Sequence, residues 1–171
     1  MNRHVLSVLV VNHSGVLSRV VGLFSRRGYN IDSLSVGETE NPDYSRMTIV
    51  ARGNDLIIQQ ITKQLNKLVD VKHIIELKPD SSVYRELALV KISATDNNRA
   101  SIIEIVDIFR ANIIDVSSET LTVEITGDQT KVKAFLDLVE TYGIKEIVRT
   151  GLTALERGSK EIKQYIENEM D

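Results

Sequence analysis

The sequence predicts an α+β protein made of two βαββαβ units, each an antiparallel sheet with both helices on one face. Three observations point there. Strand-like and helix-like runs follow in the order β-α-β-β-α-β, and then do so again. The two series are separated by Lys78-Pro79-Asp80-Ser81-Ser82, a proline-containing break. A short internal echo links them: residues 24–32 read FSRRGYNID and residues 109–115 read FRANIID, each setting an aromatic near a helix end and an Ile-Asp pair in the next strand. The expected divisions are 1–78, 83–151 and a C-terminal tail, 152–171.

In the first unit, His4 to Val11 is β-branched and apolar, which suits a strand. Asn12-His13-Ser14-Gly15 are turn and cap residues. Val16, Val20, Leu23 and Phe24 then recur at helical spacing. Arg26 and Arg27 fall in the last turn, where cations favour the helix dipole, and Gly28 can close the helix. Asn30 to Gly37 reads as the second strand, and Glu38 to Asp43 as a polar loop. Tyr44 to Arg52 alternates, with Met47, Ile49 and Ala51 on one face and Arg46, Thr48 and Val50 on the other. Gly53-Asn54-Asp55 opens a second helix carrying Ile57, Ile58, Ile61, Leu65 and Leu68, and Asp70 to Leu77 is the fourth strand.

The second unit repeats the order. Tyr84 to Ala94 is strand-like, and Asn97 or Asn98 caps a helix with Ile102, Ile105, Val106 and Phe109 on its apolar face. Ile113 to Ser117 and Leu121 to Thr126 are short strands. Gly127-Asp128 precedes a helix with Val132, Phe135, Leu136 and Val139, and Ile144 to Thr150 closes the unit. In the tail, Ser159 is placed to cap a short amphipathic helix with Ile162, Tyr165 and Ile166 on its apolar side.

Composition excludes several classes. The chain has 171 residues, a net charge of −3, 42% apolar and 26% charged residues, which reads as globular. It has no cysteine, which removes disulfide frameworks, thiolate nucleophiles and thiolate metal sites. No apolar run nears the ~18 residues a membrane span needs, and the N-terminus carries no secretory pattern. The expectation is a soluble, cytoplasmic protein. The negative net charge argues against a broad nucleic-acid face. The three histidines, His4, His13 and His73, include no i,i+4 pair suited to a metal, and His4 and His73 read as partly exposed strand residues. No nucleophile elbow, P-loop or dinucleotide fingerprint is present. No catalytic residue and no metal ligand is expected.

The first strand–helix junction carries the one pattern with chemical content. A helix starting near Ser14-Gly15-Val16 offers free backbone N–H groups to an anion. Gly15 has no Cβ, so a ligand can approach the backbone closely. Asn12 and Asn30 each offer a donor and an acceptor. The set suits a small zwitterion; a cap, a tight turn and a polar strand start would explain the same residues without a ligand.

Residues 6–19, LSVLVVNHSGVLSR, resemble the opening of an ACT domain, a small-molecule sensor. Residues 22–32, GLFSRRGYNID, together with Ser45-Arg46-Met47-Thr48-Ile49, residues 64–71 (QLNKLVDV), residues 85–91 (RELALVK) and residues 113–116 (IIDV), resemble the small regulatory subunit of acetohydroxyacid synthase, also called acetolactate synthase. The resemblance covers about 150 residues and fades from Ala154. It implies tandem ferredoxin-like domains, the first an ACT domain that dimerises side by side and binds a branched-chain amino acid, chiefly valine, at the dimer interface. It implies a non-catalytic chain that activates a separate catalytic subunit and confers feedback inhibition on it. Thiamine diphosphate, Mg and FAD would belong to that large subunit. The matching positions for the effector are Asn12, His13, Ser14, Gly15, Val16 and Leu17, with Tyr29, Asn30 and Ile31 contributed near the same interface. The family pattern that the resemblance implies here is Asn-Glu-x-Gly or Asn-x-x-Gly, and this chain has Asn12-His13-Ser14-Gly15, with His13 where the first pattern has an acid. Two other readings share the element order: a free-standing ACT sensor with a different partner, and an RNA-binding module. The latter needs exposed aromatics on the central strands, and only Tyr44, at a strand end, offers one.

Overall fold

The computed structural model describes residues 2–164. The chain divides into two units: one holds the described residues up to Val83 together with those from Leu152 onward, the other is Tyr84–Gly151.

The first unit is β1 (Asn2–Val11), α1 (Val16–Arg26), β2 (Ile31–Glu38), β3 (Tyr44–Gly53), α2 (Asp55–Leu65) and β4 (Val71–Leu77). Its sheet is antiparallel, in the order β2-β3-β1-β4. Alternation decides what faces the helices. Leu6, Val8 and Val10 of β1 and Met47, Ile49 and Ala51 of β3 pack with Val16, Val20, Leu23 and Phe24 of α1 and Ile58, Ile61 and Leu65 of α2. Each Val, Leu, Ile, Phe or Met among these, fully buried, contributes about 1.5–3 kcal/mol. The helices begin differently. Asn54 caps α2, its Oδ1 accepting from the Ile57 N–H at 2.9 Å. At α1 the cap residue is Gly15, not Ser14, in the left-handed region at φ 86° and with no side-chain cap bond.

The other face of this sheet is also closed: Val5, Ser7, Leu9, Thr48 and Val50 are buried. The sequence suggested a tail belonging to neither unit. Instead the segment from Leu152 joins the first unit: the Leu152 N–H donates to Ser33 Oγ at 2.8 Å, the Arg157 N–H donates to the Ser81 carbonyl at 2.8 Å, and Leu152 and Ala154 are buried. Strand β9 (Thr153–Glu156) lies in this segment. The face an RNA-binding sheet would need open is thus covered. Ser159 lies in a turn, and most of the helix expected after it falls outside the described residues.

A 3-10 turn at Pro79–Ser81 leads into β5 (Ser82–Ser93). The second unit continues with α3 (Arg99–Ile108), β6 (Asn112–Val116), β7 (Thr120–Gly127), α4 (Gln129–Val139) and β8 (Ile144–Arg149), in the antiparallel order β6-β7-β5-β8. This is the strand order of the first unit. Its core joins Ala88, Val90 and Ile92 of β5 to Ile102, Val106, Phe135 and Val139, with Phe109 edge-on to Phe135 at 5.6 Å. Asp128 caps α4, accepting from the Lys131 N–H. Among the described residues no helix is long and apolar enough to cross a membrane.

Candidate effector site

The junction between β1 and α1 is fastened by backbone bonds. The Val11 N–H donates to the Asp70 carbonyl at 2.9 Å, and the Asn12 N–H to the Asp43 carbonyl at 2.7 Å. The Asn12 amide also donates to the Pro42 carbonyl at 2.9 Å and reaches Glu38 Oε2 at 3.4 Å. Its donor side is therefore committed to the β2–β3 loop, which leaves the carbonyl oxygen as the group an ammonium would use. The Arg19 N–H bonds the Gly15 carbonyl at 3.1 Å, closing the first helical turn. The preceding N–H groups of α1 have no intrahelical acceptor by construction, and the first turn carries no acidic side chain. The positive end of the helix dipole is thus open to an anion.

Beneath this loop lies a carboxylate that the sequence did not single out. Asp70, buried in the turn before β4, accepts from Arg19 Nε at 2.6 Å and from His13 Nε2 at 3.0 Å. His13 also meets the Ser14 carbonyl through Nδ1 at 3.1 Å.

Tyr29, Asn30 and Ile31 lie at the other end of the sheet. Ile31 pairs with Ala51 of β3, whereas Val11, next to the loop, pairs with Tyr44. The two groups are roughly 23 Å apart along β3 at ~3.3 Å per residue. The structure does not bring them together within one copy. Tyr29 stands edge-on to Phe24 at 6.4 Å and donates to Gln60 Oε1 at 3.2 Å. The Asn30 amide is held by Asp32 Oδ1 at 2.9 Å. Asp32 Oδ2 accepts from Arg52 Nε at 2.7 Å and Arg3 Nε at 2.8 Å. The Arg52 hydrogen bond, and then Arg3, hold the Asp32 carboxyl below its ordinary value against the opposing effect of burial. A lowered folded value means the cluster's stabilisation is complete above the ordinary Asp value of ~3.9 and is lost as pH falls through the folded value. Asp32→Asn should therefore flatten the acid limb of stability against pH, measured by denaturant midpoints; an unchanged acid limb would show that the cluster contributes nothing.

The other two histidines differ from one another. His73 is half-buried. His4, expected to be partly exposed, is buried, with Nδ1 2.7 Å from Glu76 Oε1. Its partner stands 72 residues away, which a reading of local sequence could not supply. Burial opposes ionisation of Glu76, but its bonds to His4 and Lys78 prevail and lower its pKa. Among the described residues no cluster of three or more His, Cys, Asp or Glu could hold a metal. The second unit's equivalent junction is internally occupied: Arg99 Nη2, at the start of α3, donates to the Ser117 and Ser118 carbonyls at 2.7 and 3.1 Å.

Comparison with known proteins bears on the family. Residues 6–73 match the model of the AHAS small subunit-like ACT domain, and residues 85–158 that of the small subunit of acetolactate synthase. The chain belongs to the acetolactate synthase small-subunit family. It is 54% identical over 159 residues to the acetolactate synthase small subunit of Mycobacterium bovis, covering 93% of this chain and 95% of that one. It is likewise 54% identical to that of Mycolicibacterium smegmatis, covering 93% and 94%. The crystal structure of the Thermotoga maritima acetolactate synthase small subunit superposes with a TM-score of 0.86 at 43% identity, covering 94% of this chain and all of that one. As a small-subunit family member this is a regulatory, non-catalytic chain, and its tandem ACT-like βαββαβ units are the fold expected from its sequence.

Proposed function

We propose that this chain is the feedback sensor of an acetohydroxyacid synthase: it binds valine, or a related branched-chain amino acid, through its N-terminal ACT domain, and both activates and restrains a thiamine-diphosphate-dependent catalytic subunit. The thiamine cofactor, Mg and FAD reside on that subunit. The observation that carries the reading is the start of α1 at Gly15, which has no side-chain cap and follows Asn12 by three residues. It suits a carboxylate and an ammonium held a few ångströms apart.

A homodimer completes the site. Strand β2 is a sheet edge, and an uncovered edge invites strand pairing. Antiparallel pairing of two β2 strands about a two-fold axis sets the Ile31 end of one beside the Glu38 end of the other. That brings Tyr29, Asn30 and Ile31 of one copy toward Asn12, His13, Ser14, Gly15, Val16 and Leu17 of its partner. Leu17 and Val36 support this geometry, being apolar yet 43% and 44% exposed; Val36 pairs with Met47, so it lies on the helix-bearing face.

Light scattering combined with valine titration calorimetry tests the reading. A dimer that binds valine is expected, and Val36→Glu should shift the mass toward monomer and weaken valine binding together. A monomer that binds valine equally well would overturn the shared site.

A further inference from the structure

We propose that Arg19 reads the effector's carboxylate and that Asp70 is the positioning residue that aims it. This rests on the effector reading above and adds the side chain that would give the site its selectivity among anions.

Side chains on a helix lean toward its N-terminus. From one turn into α1, the Arg19 guanidinium therefore returns to the helix start, where Nη1 lies 3.1 Å from the place a Gly15 Cβ would occupy. Its Nε edge is committed to Asp70 at 2.6 Å; Asp70 is 8% exposed, whereas Arg19 is 47% exposed. One edge of the fork is thus anchored in the protein, and the guanidinium stays half-open beside Gly15. Asp70 is itself immobilised, because its second oxygen faces His13 and its carbonyl accepts from the Val11 N–H. A guanidinium fixed in this way meets a planar carboxylate with two parallel N–H bonds and little ordering cost. The helix N–H groups alone would receive an anion of any shape. The cluster also accounts for glycine at position 15: a side chain there would press on the guanidinium.

The test is calorimetry on the full chain with valine and with valinamide, which keeps the ammonium and side chain but lacks the carboxylate. Wild type should prefer valine by at least tenfold. Arg19→Met should reduce that preference at least fivefold by weakening valine binding alone. Arg19→Lys should restore part of it, and Asp70→Asn should reduce it with Arg19 still present. Equal losses for both ligands, or an unchanged preference in all three variants, would overturn the proposal and leave the pair a structural tie. Gly15→Asp separates the two levels. If it loses valine while the Arg19 variants do not, the effector site stands and this role falls. If wild type binds no valine, or Gly15→Asp binds it as tightly as wild type does, the effector site falls and this role with it.

Discussion

Gly15→Asp should abolish end-product inhibition while leaving activation of the catalytic subunit in place. Three effects coincide at this position. Gly15 holds φ at 86°, a conformation that L side chains rarely adopt. An added Cβ would stand 3.1 Å from Arg19 Nη1, so the new carboxylate would draw that guanidinium onto itself. It would also compete for the N–H groups at the start of α1 and repel the effector's carboxylate. Loss of one charge-assisted hydrogen bond costs roughly 1.5–3 kcal/mol, so valine affinity should fall at least about tenfold. The substitution sits at the end of an element, outside the core of Leu6, Val20, Phe24 and Ile61, so the unit should still fold. The measurement is catalytic rate against valine concentration for wild type and variant, each mixed with the same catalytic subunit. Unchanged inhibition would place the effector elsewhere. Loss of both properties would assign the loop to docking or to folding.

Phe24→Ala should be the most damaging single substitution in the first unit. Phe24 is 1% exposed and packs within the core beneath α1. Truncating a buried Phe costs about 3–5 kcal/mol, from lost transfer energy and the cavity left behind. The same change removes the edge contact with Tyr29, whose N–H bonds the Phe24 carbonyl at 3.0 Å. Valine binding should therefore weaken along with stability, because the Tyr29-Asn30-Ile31 turn loses its support. Phe135→Ala is the control: that residue is 0% exposed in the core of the second unit, so it should cost as much stability and leave valine binding intact. Urea unfolding of the two variants, followed by calorimetry, separates them. A loss below about 1 kcal/mol for Phe24→Ala would contradict the packing described here.

Much of this was legible because alternation and helical spacing are local. Met47, Ile49 and Ala51 declare their face within a few residues, and the structure puts all three against the helices. Asn54 and Asp128 declare their helix starts in the same way. The candidate effector loop could be proposed from Asn12 and Gly15, which carry their chemistry where they stand. What stayed hidden depends on residues distant in sequence. Asp70 looks like one more polar residue before a strand, and only the pairing of β1 with β4 sets it beneath His13 and Arg19. Asp32 likewise takes its partners from other strands, Arg3 of β1 and Arg52 of β3. Leu152 and Ala154 read as an ordinary tail, because nothing local announces that a sheet face already covered on one side has room on the other.

The most direct measurement is the condensation rate of the thiamine-diphosphate-dependent catalytic subunit, taken alone, with this chain, and with this chain plus increasing valine. The rate should rise to a plateau as the chain is added, and valine should lower it only when the chain is present. A rate that ignores the chain, or that valine lowers equally in its absence, would contradict the assignment of this protein as the sensor.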